Sequence, residues 1–351
     1  MSLVPLPPVG PDSVWPGGEW TVADAPECDT DRLEAELDRW FSRAETPELG
    51  ASLAFVAVRS GRIVSERYGP DTRPTTTLLS WSVAKSVTQL ALGVLVADGL
   101  LDPDAAAAVP EWSEDPRSAI TVTDLLRMRS GLAFVEDYVD DSVSDCLEML
   151  WGTGADDVAG YAATRRAEHP PGTHFNYSSG TTNVLSRLLG DAVAGGSCRS
   201  NRTDTERFLT ERVLHPLGMH SASLRFDAAG TWVGSSYLYA TARDYARFGL
   251  CCLRGGRWST GPLVPEGWMD RARTRRSVDP ELGWGYGEHW WVRDDAHGTF
   301  WANGYDGQVI LCVPALDLVV VRLGRTPVDL RSNLWAFLDE VVDCFGPAPE
   351  S

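Results

Sequence analysis

The chain has little positive charge. Lysine and arginine together number 31 against 49 aspartates and glutamates, a net charge of −18. That balance argues against nucleic acid and against anionic membrane surfaces as partners. Long apolar runs are missing too: the longest, "LALGVLVA", falls far short of the roughly 18 residues a membrane span needs. The seven cysteines stand singly apart from Cys251-Cys252, and no CxxC or CxxH spacing occurs. Neither a zinc site nor a disulfide framework is therefore indicated, and the odd count suits a reducing compartment. The opening "MSLVPLPPVGPDSVWPGGEW" lacks a cationic start and is broken by prolines, so it does not read as a signal peptide. The expected location is the cytoplasm. Also absent is any GxSxG elbow, and none of the six histidines sits in a recognisable triad context.

What is there reads as an ordinary globular protein: 351 residues, 43% hydrophobic and 23% charged. Thr30 to Ser42 has the pattern of an amphipathic helix. "SLAFVAVRSGRIVSERYG" reads as two strands joined at Ser60-Gly61-Arg62. From about Thr121 to Arg276 the patterns are mainly helical, with Gly-, Pro- and Ser-rich loops between them. Strand periods return in "YGEHWWV", "TFWAN", "GQVILCV" and "LVVVRLG", before a closing helix from Arg331 to Cys344. Strands at both ends and helices in the middle predict an α+β fold: an antiparallel sheet flanked by terminal helices, with a large helical domain inserted. The expected division is an extended arm over 1–20, a discontinuous sheet domain over 21–81 and 277–351, and a helical domain over 82–276. The cleft between the last two is the default site.

The chemistry centres on "LLSWSVAKSVTQLALGVLVADGLLD". Val83, Val87, Leu90, Ala91, Val94 and Leu95 recur at helical spacing, and Ser82 and Lys85, three apart, share a face. Free serine needs an adjacent base. A lysine can serve if burial lowers its pKa toward neutrality, a shift of roughly 4–5 kcal/mol from its ordinary value near 10.4. The bland alternative is a capping serine and a snorkelling lysine. Two further elements weigh against it. "PPGTHFNYSSGTTNVLSRLLG" places Tyr177 and Ser179 in a loop before a helix that starts near Gly180. "TFWANGYDGQVILCV" reads as a strand, a glycine pair at Gly304 and Gly307, and a second strand, where glycine permits close backbone approach and a nearby main-chain N–H can serve an oxyanion hole.

These three elements, in this order, resemble the serine β-lactamase and penicillin-binding protein superfamily. The resemblance is narrower to its class C-type branch, which holds esterases, D-aminopeptidases and 6-aminohexanoate-dimer hydrolase. It rests on SxxK at Ser82–Lys85, a YxS box at Tyr177–Ser179 and a third box at Ala302-Asn303-Gly304, and covers about residues 50 to 325. It implies a serine hydrolase that is acylated on Ser82, needs no cofactor or metal, and acts on a small-molecule ester or amide. Lys85 and Tyr177 would exchange the proton, and the N–H groups of Ser82 and Tyr305 would form the oxyanion hole. Ser179, Asn303, Gly304 and Tyr138, from "FVEDYVDD", would contact substrate. Which of Lys85 and Tyr177 is the acylation base stays open, as does a homodimer. Two departures stand out: the lysine that begins the third box of lactamases is Ala302, and the asparagine that ends the YxN box is Ser179. Both favour neutral or amine-bearing acyl substrates over β-lactams. The rival readings are an acyltransferase on the same machinery and a non-catalytic binding protein of the same fold.

Overall fold

The computed structural model describes residues 3–138, 143–196 and 201–346. Both ends of the chain build one sheet. An N-terminal hairpin pairs β1 (Ala51–Arg59) with β2 (Arg62–Tyr68). Its turn places Ser60 and Gly61 at positive φ, 49° and 77°, the hand that matches the twist of the flanking strands. The C-terminal part adds β3 (Ser277–Val278), β4 (Gly285–Tyr286), β5 (Trp291–Val292), β6 (Phe300–Gly304), β7 (Gln308–Val313) and β8 (Leu318–Arg325). The order is β2-β1-β8-β7-β6-β5-β4-β3, antiparallel throughout. Pairing of β1 with β8 runs from Ala51↔Arg325 to Arg59↔Leu318, so the ends of the chain are zipped together inside the sheet.

Helices α1 (Thr30–Phe41), α2 (Val83–Ala97), α3 (Asp145–Trp151), α4 (Ser179–Val193), α5 (Ala242–Leu253) and α6 (Arg331–Cys344) surround it. Strand alternation decides what each helix covers. Phe55, Ala57, Val309, Leu311 and Val320 pack with Leu37 and Phe41 of α1 and Phe337 and Val341 of α6. Ala54, Val56, Val58, Ile310, Val319 and Val321 face the other way, into the core shared by α2, α4 and α5. A one-residue slip in β1 would exchange these two sets, so the register is fixed by both faces at once. No helix among the described residues is long and apolar enough to cross a membrane.

Two local expectations are corrected. "YGEHWWV" is not one strand but a hairpin, β4 to β5, in which Gly287 N–H donates to Trp290 O at 2.9 Å. His289 in that turn has φ 57°, and its N–H donates to Leu126 O at 3.0 Å, which draws the backbone out of the ladder. A small second sheet also forms from Leu78–Leu79, Leu238–Ala240 and Ser223–Leu224, segments too short to show a period of two.

His289 predicts an acid sensitivity. Its side chain is buried, its Nδ1 lies 2.8 Å from the Leu126 carbonyl and its Nε2 2.9 Å from the Thr182 hydroxyl. A carbonyl only accepts, so Nδ1 carries the proton and Nε2 accepts from Thr182. Burial pushes the pKa from 6.5 down to about 3. The unfolded chain therefore binds a proton below pH 6.5 that the folded chain refuses, and stability falls as pH drops from there toward 3. Between pH 7 and 5 this group alone should remove about 2 kcal/mol. Urea unfolding at both pH values should show that loss in the parent protein and not in His289→Gln. An equal loss in both would assign it to other groups.

Candidate active site

The small sheet sets the approach to Ser82. Ser80 N–H donates to Leu238 O at 2.8 Å, and the Ser80 hydroxyl donates to Trp81 O at 2.9 Å. Between these anchors and α2, Trp81 is held at φ 45°. A left-handed backbone at a bulky residue costs about 1–3 kcal/mol and persists only where its surroundings enforce it. Here it turns the chain so that Ser82 becomes the N-cap of α2. Its side chain makes no capping hydrogen bond, so the hydroxyl remains free for other partners. The helix terminus favours negative charge developing at this oxygen.

Lys85, one turn on, is 1% exposed. Its Nζ lies 2.8 Å from Ser82 Oγ, 2.9 Å from Ser179 Oγ and 3.0 Å from Ser235 O. Burial lowers its pKa, and the carboxylate of Glu136 partly opposes that shift. Lys85 is also the only lysine of the chain. Glu136 was not singled out by the sequence reading. It accepts from Ser179 N–H at 2.7 Å, from Ser179 Oγ–H at 2.5 Å and from the Tyr138 hydroxyl at 2.5 Å. The buried thiol of Cys146 faces the same cluster, its pKa raised by burial first and by Glu136 second. Ser179, expected as a substrate contact, thus has its hydroxyl engaged between Lys85 and Glu136. Helix α4 begins at Ser179 rather than Gly180 because Ser178 is the N-cap, accepting from Thr181 N–H at 3.0 Å.

Tyr177 is presented by the loop ahead of that cap. Asn176 fixes it from behind: its N–H donates to Met128 O at 2.8 Å and its side-chain amide to Phe134 O at 3.1 Å. The Tyr177 ring stacks on Trp291, centroids 5.4 Å apart, and meets Tyr286 edge-on. Lys85 Nζ lies 5.0 Å over the same ring. Burial raises the Tyr177 pKa, Glu136 adds to the rise, and hydrogen bonding with Ser82 works against it. Lysine is pushed down and tyrosine up.

The third box completes the group. Gly304, at the end of β6, lies against the strand that precedes Ser82. A Cβ on it would stand 2.4 Å from Ser80 O, so only glycine allows this approach. Tyr305 follows directly, and the turn continues through Asp306 at φ 60°. Gln308 Nε2 donates to Tyr305 O at 3.0 Å, and the fully buried Arg322 donates to Gly307 O at 3.0 Å. These two side chains hold the turn that carries the Tyr305 N–H. Ala302 is buried in the core shared with α2. Asn303 is half-exposed, alternation turns it to the opposite face, and its side chain makes no hydrogen bond among the described residues. The structure therefore groups Ser82, Lys85, Tyr177, Ser179 and Tyr138, sets Gly304 and Tyr305 beside them, and leaves Asn303 apart.

A cavity of about 640 Å³ lies nearby, lined by Phe134, Arg165, His169 and His174 among others, but it touches none of Ser82, Lys85 and Tyr177. Among the described residues no group of three or more histidine, cysteine, aspartate or glutamate side chains is gathered as metal ligands would be.

Known proteins resemble this chain in sequence and in fold. Residues 41–340 match the family described as Beta-lactamase. The 6-aminohexanoate-dimer hydrolase of Paenarthrobacter ureafaciens is 26% identical over 323 residues, 84% of this chain and 78% of that protein. Among solved structures, a Bacillus anthracis protein provisionally described as a 6-aminohexanoate-dimer hydrolase superposes with a TM-score of 0.73 at 20% identity, covering 95% of this chain and 88% of its own. A family VIII carboxylesterase superposes with a TM-score of 0.65 at 15% identity, covering 92% and 98%.

Proposed function

The chain belongs to the Beta-lactamase family, and from that premise we propose that it is a serine hydrolase that acts through an acyl-enzyme on a small ester or amide. The observation that carries this reading is the set of partners around Lys85 Nζ. A neutral amine has two hydrogens and one lone pair. The Ser235 carbonyl can only accept, and Ser179 Oγ, whose own hydrogen goes to Glu136, accepts as well. Both N–H bonds are then spent, and the lone pair is left facing Ser82 Oγ at 2.8 Å.

In acylation the Ser82 hydroxyl oxygen attacks the carbonyl carbon while its proton passes to Lys85. The oxyanion that forms is met by the N–H groups of Ser82 and Tyr305. Tyr177, kept protonated by its raised pKa, gives its proton to the departing oxygen or nitrogen and is reprotonated from Lys85. Water then repeats the sequence on the acyl-enzyme and frees Ser82. Two titratable groups pushed in opposite directions support a division into base and acid: Lys85 takes the proton and Tyr177 delivers it.

A serine-directed fluorophosphonate should add one phosphonyl group to the intact protein, and peptide mass mapping should place it on Ser82. Ser82→Ala should take up none. An adduct on any other serine, or ester hydrolysis at the parent rate in Ser82→Ala, would remove Ser82 from the reaction.

A further inference from the structure

The exposed aromatic side chains among the described residues lie at one place. Tyr138, Trp151 and Tyr305 are 38%, 52% and 37% exposed. They come from three separate segments: the loop after Phe134, the C-terminal end of α3, and the turn between β6 and β7. All three connect through half-buried Trp81, the residue before Ser82. Trp81 packs edge-on against Trp151 at 6.3 Å and against Tyr305 at 5.7 Å, and Tyr305 packs on Tyr138 at 5.1 Å. Single exposed apolar residues scattered over a surface need no explanation, but a contiguous patch marks a binding surface. This one adjoins the nucleophile.

We propose that this arc is the side-chain subsite of the reaction and that it selects esters or amides carrying an aromatic ring near the scissile carbonyl. The inference rests on the reading of Ser82 as nucleophile. The arc offers rings at mixed angles, interplanar 78°, 77° and 45°. A further ring placed among them finds edge-to-face and offset-stacked neighbours together, which a saturated ring of the same size does not. An ammonium group would also be drawn to aromatic faces. Here, however, Arg225 already lies 4.8 Å over Tyr237, which itself packs on Trp81. The nearby carboxylate of Glu136 is turned inward, to Ser179 and the Tyr138 hydroxyl. A cation at the mouth would thus meet a fixed guanidinium at one end of the arc, with that carboxylate directed away from it.

The test compares ethyl 3-phenylpropionate with ethyl 3-cyclohexylpropionate, and benzyl acetate with cyclohexylmethyl acetate. Each pair matches in size and differs in aromaticity, one with the ring on the acyl side and the other on the leaving side. In at least one pair the aromatic member should have the larger kcat/KM, by about tenfold, equivalent to roughly 1.4 kcal/mol. Trp151→Ala should bring that ratio close to one, whereas Trp151→Phe should largely keep it. Binding of the same esters to Ser82→Ala, followed by tryptophan fluorescence, reads the preference without turnover. If the parent protein hydrolyses none of them but Ser82→Ala binds the aromatic members more tightly, the hydrolase reading falls and the subsite stands. If both members of each pair bind equally to Ser82→Ala, or the ratio is the same in Trp151→Ala, the subsite proposal is wrong. Preference for a 6-ammoniohexanoate ester over both ring types would also overturn it.

Discussion

Lys85→Ala and Tyr177→Phe should each lower kcat/KM for an ester by about 10²–10⁴, the range for a lost general acid–base group. The two losses should not multiply. In the proposed mechanism proton transfer runs through both groups, so removing one leaves little for the other to contribute, as expected of residues that act as a unit. The pH profile separates their parts. Burial holds Lys85 below its ordinary 10.5, so the rate in the parent protein should rise with pH as the ammonium loses its proton, and the rise should come earlier than for a free lysine. Tyr177→Phe should keep this limb at a lower rate, while Lys85→Ala should lose it. Because Lys85 is the only lysine, the isotope-edited NMR signal of a labelled lysine reports this one side chain, and its titration should coincide with the kinetic limb. A limb that survives in Lys85→Ala would hand the base role to another group. Inhibition by EDTA with recovery on adding zinc would overturn the mechanism altogether.

The parts of this site that were legible in the sequence are those set by local spacing. Ser82 and Lys85 lie three apart on a helix whose apolar period is plain, so their shared face follows from helix geometry alone. Tyr177 was visible as a loop tyrosine ahead of a helix, and the change back to strand period located Gly304 and Tyr305. The sheet built from both chain ends was legible for the same reason, since β1, β7 and β8 read as apolar stretches that contain valine. Glu136 was not legible. Its role depends on Ser179 standing in the first turn of α4, and that start was set by the Ser178 cap rather than by periodicity, which pointed one residue too late. The backbone of Trp81 gave no signal either: tryptophan has no preference for positive φ, and the conformation is imposed by Ser80 and the small sheet, whose strands of two or three residues are too short to show alternation. The aromatic arc is a third case, since Tyr138, Trp151 and Tyr305 become neighbours only in three dimensions.

Substrate choice follows from Ala302. A lysine at the head of the third box would offer a β-lactam carboxylate a charge-assisted hydrogen bond, worth about 1.5–3 kcal/mol. Ala302 offers none: it is 1% exposed and its methyl group packs into the core shared with α2. The other cation at this centre, Lys85, is occupied by Ser82, Ser179 and the Ser235 carbonyl, and its lowered pKa works against the ammonium form that would attract an anion. The net charge of −18 acts in the same direction, though only over the screened range of about 10 Å at 0.1 M salt. Loss of the carboxylate partner alone should cost roughly 10–150-fold at 1.4 kcal/mol per decade. Short-chain p-nitrophenyl esters should therefore turn over readily, while benzylpenicillin and nitrocefin should react poorly or not at all. In the proposed mechanism both classes would acylate Ser82 through the same oxyanion hole, so a side-by-side kcat/KM at fixed ionic strength isolates recognition from reactivity once each is divided by its rate with hydroxide. Penicillin hydrolysed faster than the esters on that scale would mean that its carboxylate finds a partner elsewhere. Arg225 at the rim would be the first to replace, because Tyr237 holds its guanidinium beside Trp81, the residue before Ser82.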